Sequence, residues 1–184
     1  MNQSKSFLRN FTVFNLIIIA MVSALGIATK PIIVPLIHII SGPLFIPGGA
    51  IAGGFYMLWI VLGVAIVKKF GTGTLIGIVQ SILVIATGIM GTHGIMSLIS
   101  YTLPGIMVDI VFLFSKDKIY NILHFLFGCM AANITGTMIS NIMFFRLPPS
   151  VVFLVLSSAA LSGALGGLIA YSISKGLTKI NLNL

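Results

Sequence analysis

One acidic residue in this sequence lies among side chains that are almost all apolar. Asp109 falls within the stretch LPGIMVDIVFLF, residues 103–114, and it is one of only two acidic residues in the 184-residue chain. A carboxylate in such surroundings costs about 2.5–3.5 kcal/mol inside a membrane unless a cation, hydrogen-bond donors or protonation compensates it. Three roles therefore remain open for Asp109: a structural bond within the protein, direct contact with a substrate, or coupling to a partner protein.

Other polar side chains recur along the apolar runs at helical spacing. From Ser97 through Tyr101 and Gly105 to Asp109 they come every four residues, which places them on one face of a helix. Three further runs carry polar positions: Tyr56 with Trp59, Gln80 with Thr87, and Asn133 with Thr137 and Asn141. Four runs with polar faces predict a shared internal cavity. The alternative is that these side chains only join neighbouring helices through hydrogen bonds.

Motifs for catalysis or metal binding are absent from the sequence. It contains no Walker motif, no His-Glu-x-x-His pattern, no cysteine pair and no cluster of carboxylates. Its single cysteine, Cys129, lies inside an apolar run. We therefore expect a protein that is not an enzyme, binds no metal or cofactor itself, and does not hydrolyse ATP.

The composition indicates what kind of element carries these residues. The chain is 58% hydrophobic and only 7% charged, with a mean hydropathy of +1.20, whereas soluble domains are about 25% charged. Long continuous apolar runs predict membrane-spanning helices, because barrel strands would alternate in polarity. The fold class is therefore an all-α integral membrane protein.

Six runs are long enough to span a bilayer, and together they predict one six-helix membrane domain over residues 1–184. They are Phe11–Ala28, Leu44–Val67, Thr72–Ile89, Gly94–Phe114, Ile122–Phe145 and Val151–Ile173. Most links between them are short and polar. The first link is apolar but too short to span, and it has prolines at 31, 35 and 43. It is predicted to be a re-entrant or interfacial segment.

The basic residues predict the orientation. Eight of the ten adjoin the termini and the even-numbered links: Lys5, Arg9, Lys68, Lys69, Lys116, Lys118, Lys175 and Lys179. Only Lys30 and Arg146 fall on the other side. Because cytoplasmic links are enriched in Lys and Arg, both termini are predicted to be cytoplasmic. Topology thus explains the net charge of +8, and no nucleic-acid partner is needed.

Small residues at a spacing of four form a further pattern. Ala20, Ala24 and Ala28 share one face of the first predicted helix. Such spacing allows another helix to approach closely, so this face is a candidate docking surface for an external helix.

These features together resemble a known family. The six predicted helices, the alanine face and the stretches GGFYMLWIVLGVAIVKKFGTG and PGIMVDIVF are similar to substrate-binding S-components of bacterial energy-coupling factor (ECF) vitamin transporters. The nearest subgroup is associated with thiamine, its hydroxymethylpyrimidine precursor and cobalt. In that subgroup the position of Asp109 resembles one that carries an acid.

The resemblance implies that the chain captures a vitamin-sized solute from outside the bacterial cell membrane. A membrane coupling protein (T-component), docked on Ala20, Ala24 and Ala28, and two ATPases would then drive release inside. In this arrangement Asp109 would lock helix packing or sense docking. Judged by depth in the membrane, the candidate substrate contacts are His38, Tyr56, Trp59, Thr87, His93, Ser97, Tyr101, Thr137 and Asn141. Tyr56 and Trp59 would form an aromatic floor suited to a flat heterocycle.

Two other functions fit the same composition. A stand-alone secondary carrier or small channel would transport without ATPases. A structural membrane subunit would bind a partner through its small-residue faces and would hold no ligand.

Overall fold

The computed structural model describes residues 10–42, 47–89, 94–115 and 120–181, and its elements there are helices. In chain order they are α1 (Val13–Ala28), α2 (Lys30–Ser41), α3 (Gly48–Val67), α4 (Thr72–Thr87), α5 (Ser97–Leu113), α6 (Ile122–Ser140) and α7 (Pro149–Asn181). A π-helical turn, Asn141–Phe145, extends α6. The predicted all-α fold is confirmed.

The lengths of these helices suit a bilayer. Five helical stretches in the described ranges are long and apolar enough to span, with α1 and most of α2 counted together as Val13–Ile39. The sixth predicted span, α4, has 16 residues, or about 24 Å against a hydrocarbon core of about 30 Å. The chain is therefore a multi-pass membrane protein. The last helix continues beyond the predicted Ile173 to Asn181, because a helix need not end where the lipid does.

The first link is helical from Lys30 to Ser41. Thr29, between α1 and α2, has α-helical dihedral angles, and it both donates to the Leu25 carbonyl and accepts from the Ile33 amide at 3.0 Å. The segment left open as re-entrant or interfacial is thus a near-continuation of α1. The combined stretch Val13–Ile39 has 27 residues and is about 40 Å long, more than the hydrocarbon core requires.

Helix α3 is the centre of the bundle. It packs against every other helix, and α7 covers it most extensively. The close approach of α7 depends on glycine, because a Cβ atom on Gly166 would lie 2.7 Å from the Gly54 carbonyl carbon. Gly163 and Gly167 bring α7 equally close to the backbone of α6. Small residues in this chain therefore serve internal packing as well as the exposed face of α1.

The bundle has two distinct ends. At the end that we call the basic end, Lys69 donates to the carbonyl of Asn10, and the rings of Phe125 and Tyr171 lie 5.4 Å apart. At the opposite end, the cavity end, Lys30 of α2 contacts Tyr101 of α5. The helices thus separate the clustered lysines from the polar groups described next.

Candidate functional site

The cavity end contains a cavity of about 450 Å³. This volume lies in the range of about 300–1,000 Å³ that is typical of small-molecule sites. Helices α2 to α7 all contribute to its lining, which is mainly apolar. The polar lining residues are Lys30, His38, Tyr56, Gln80, Ser100, Tyr101, Asn133, Thr137, Ser140 and Asn141.

Lys30 is the charged group of this lining. It begins α2, and its side chain is only 7% exposed. The ammonium donates a hydrogen bond to the hydroxyl of Tyr101. It also lies 4.0 Å from the centroid of the Tyr101 ring and 4.8 Å from that of Tyr56. Two aromatic faces therefore hold the cation at the cavity wall.

Gln80 of α4 provides an amide without a partner. Its side chain is 3% exposed, and Nε2 has no hydrogen-bond partner among the described residues. An unsatisfied buried amide donor costs about 1–3 kcal/mol. Its Nε2 packs against Gly26 of α1 and is inaccessible from the cavity, so Gln80 contributes to the lining through its other atoms.

Two asparagines of the lining have structural bonds. Asn133 of α6 donates through Nδ2 to the carbonyls of Ala50 and Ala159, at 3.0 and 2.8 Å, and so joins three helices. Asn141 accepts through Oδ1 from the Leu147 amide at 3.0 Å, which fixes the turn between α6 and α7. These side chains form the wall of the cavity.

The structure brings together five of the nine predicted substrate contacts. His38, Tyr56, Tyr101, Thr137 and Asn141 all line the cavity. His93 lies outside the described residues.

The other three do not line the cavity, which corrects the sequence-based list. Thr87 is exposed near the end of α4, and its hydroxyl donates to the Leu83 carbonyl at 2.7 Å. Ser97 is fully buried in helix packing at the start of α5. Trp59 is half-buried and packs against the main hydrophobic core. Depth in the membrane is thus a poor guide to the direction in which a side chain points.

Five polar lining residues were not predicted as contacts: Lys30, Gln80, Ser100, Asn133 and Ser140. The signal for Lys30 was present, because it is one of only two basic residues outside the set predicted to be cytoplasmic. A lysine that topology does not explain is a candidate for function. Gln80 and Ser100 could not be distinguished from residues that join helices.

Asp109 is at the basic end and does not line the cavity. Its side chain is 3% exposed and meets the N-terminus of α4. Oδ1 accepts from the Gly73 amide at 2.8 Å, and Oδ2 accepts from the Thr74 amide and hydroxyl at 2.8 and 2.7 Å. The first amides of a helix lack intrahelical partners and carry partial positive charge. Asp109 therefore caps α4 from a neighbouring helix. Of the three roles left open by the sequence, this contact fits the structural bond within the protein.

No metal centre is visible in the described ranges, where no three His, Cys, Asp or Glu side chains are grouped to hold an ion.

Comparison with known proteins gives two matches. Residues 14–135 match a family described as "ABC-type cobalt transport system, permease component". A solved structure, described as "Crystal structure of an S-component of ECF transporter", superposes with a TM-score of 0.72. That alignment covers 93% of this chain and 87% of the other, at 18% sequence identity, so it shows a shared fold. No curated protein matches the sequence significantly.

Proposed function

This chain belongs to the family of ABC-type cobalt transport system permease components, and from that premise we propose that it is the substrate-binding membrane subunit of an ATP-driven importer. The sequence resemblance to ECF transporter S-components is confirmed by the family and the fold. The observation that carries the proposal is the partly open cavity at one end of the bundle, with its buried lysine.

The substrate is a small organic molecule of vitamin size, for which a thiamine-like or hydroxymethylpyrimidine-like compound was the first expectation from the sequence. The cavity of about 450 Å³ is far larger than a metal ion. Its described lining has one histidine, His38, and no cysteine or carboxylate, whereas transition-metal sites use such ligands together. These features favour an organic solute over a metal cargo.

The positive-inside rule supports the orientation of the subunit. Lys68, Lys69, Lys175 and Lys179 lie in the described part of the basic end, so we place that end in the cytoplasm. The cavity then faces the exterior and captures its substrate there. A T-component and two ATPases supply the energy for release into the cell.

Native mass spectrometry of the purified protein tests this proposal. A bound small molecule of vitamin size is the expected result, followed by uptake of that compound into proteoliposomes only when the coupling protein, the ATPases and ATP are present. Uptake by the chain alone would favour the secondary carrier. Absence of any bound or binding compound would favour the structural subunit.

The exposed alanine face of α1 gives a prediction about docking. Ala20, Ala24 and Ala28 are all exposed, as a helix-docking surface requires. We expect Ala24→Trp to abolish co-purification with the coupling protein and ATP-driven uptake, because the bulky ring separates the helices, while substrate affinity is unchanged.

Ala86→Trp is the matched control, since Ala86 is also exposed but belongs to α4. It should dock and transport as the wild type does. Normal uptake by Ala24→Trp would rule out this face as the docking surface.

A further inference from the structure

Lys30 is a buried cation without a counter-charge in the part of the chain that the structure describes. Its printed contacts are the hydroxyl of Tyr101 and the rings of Tyr56 and Tyr101, all neutral groups. Of the two acidic residues, Asp109 is bound to the N-terminus of α4 and lies outside the cavity. The other, Asp117, falls in the link before α6, outside the described ranges.

An uncompensated ammonium is costly at this position. Removing a charge from water into a protein interior carries a large desolvation penalty, and ionisable residues within membrane segments are accordingly rare and functional. Aromatic faces stabilise a cation but do not neutralise it. Lys30 is therefore expected to acquire a negative partner during the functional cycle.

The described lining of the cavity contains no carboxylate. A buried charged donor at such a wall is complementary to an oxyanion. Tyr56, Met57 and Ile60 supply the apolar wall beside it.

We propose that the ligand of this cavity is an organic anion whose carboxylate or phosphate pairs with Lys30, while its ring or chain packs on the apolar wall. The inference rests on the proposed function and narrows its substrate class. It argues against thiamine itself, because a cationic ring would meet a buried cation of the same sign. An acidic vitamin or a phosphate ester fits instead.

Matched ligand pairs that differ in one charged group test this inference by calorimetry on the purified protein. Nicotinate with nicotinamide, pantothenate with panthenol, and biotin with biotinamide probe the carboxylate. Thiamine monophosphate with thiamine, and pyridoxal phosphate with pyridoxal, probe the phosphate. For the chemistry that the cavity accepts, the anionic member should bind at least about tenfold more tightly, as expected for a charged hydrogen bond.

Variants of Lys30 assign that preference to the lysine. Lys30→Met keeps most of the length of the side chain and removes its charge, so the anion preference should fall to near unity. Lys30→Arg should retain most of it. Lys179→Met, at an exposed position of α7, is the control and should bind as the wild type does.

The thermal stability of the ligand-free protein gives a readout that does not depend on knowing the ligand. If Lys30 serves an absent anion, Lys30→Met relieves an uncompensated charge and raises Tm. If Lys30 were a structural residue held by its tyrosines, the same change would lower Tm. A lowered Tm would overturn the inference.

The binding outcomes separate this inference from the proposed function. Equal or tighter binding of the neutral or cationic members, unaffected by Lys30→Met, would overturn the anionic ligand and leave the substrate-binding subunit intact. If no compound binds and none co-purifies, the proposed function fails and the inference falls with it.

Discussion

Asp109→Asn should lower the free energy of unfolding by about 2–3 kcal/mol and leave substrate affinity unchanged. The carboxylate accepts three hydrogen bonds from Gly73 and Thr74 of α4. An asparagine presents a single acceptor oxygen, so buried donors at the start of α4 would lose their partners. Tyr101, the cavity residue of α5, lies eight residues away, or about 12 Å along the helix. Chemical or thermal unfolding in detergent, with calorimetry of the bound compound, measures both effects.

A double-mutant cycle with Thr74→Val assigns the loss to this contact. Thr74→Val removes only the hydroxyl bond to Oδ2, so it should cost about 1 kcal/mol. The two changes should be less than additive, because they affect one hydrogen-bonded group. A large loss of affinity in Asp109→Asn, with unchanged stability and docking, would contradict the structural role of this acid.

Gly166→Ala should destabilise the protein by about 3 kcal/mol, the upper part of the usual range for overpacking. A Cβ atom at this position meets the backbone of Gly54, including its Cα at 2.9 Å. Backbone atoms cannot rotate away as a flexible side chain can, so α7 would have to move off α3. The expected result is a lower unfolding temperature and a poorer yield of monodisperse protein.

Gly176→Ala on the same helix is the matched control. An added Cβ there meets no atom within 4 Å, and alanine is favoured over glycine in a helix by about 1 kcal/mol. The same substitution should thus stabilise at Gly176 and destabilise at Gly166. Equal effects at both positions would show that α7 does not pack on α3 through this contact.

These variants act in different parts of one bundle. Asp109 and Gly166 hold the helices together, whereas Lys30 lines the cavity without a counter-charge among the described residues. Changes in the first group should alter stability at nearly constant affinity. Neutralising Lys30 should lower the affinity for an anionic ligand and raise the Tm of the empty protein, since a binding group that lacks its ligand is a cost to the empty protein.

The sequence alone was sufficient to predict the six long apolar helices, whereas helix α2 in the first link was left open. A spanning segment must satisfy its own backbone hydrogen bonds as a helix, so it can be recognised in the sequence as about 20 consecutive apolar residues. The observed α3, α5 and α6 accordingly begin and end within a few residues of the predicted runs. The sequence also predicted that the alanines of α1 share one face, because residues spaced by four lie on the same side of a helix.

Only the tertiary structure decided which polar side chains meet. Lys30 and Tyr101 are 71 positions apart, and Asp109 and Thr74 are 35 apart, so no local pattern joins them. The rotation of each helix about its axis depends on packing, notably the close approach allowed by Gly54 and Gly166. That rotation points Tyr101 into the cavity and Thr87 away from it. The depth of a side chain in the membrane follows from its position along the chain, but the direction in which it points is decided by the neighbouring helices.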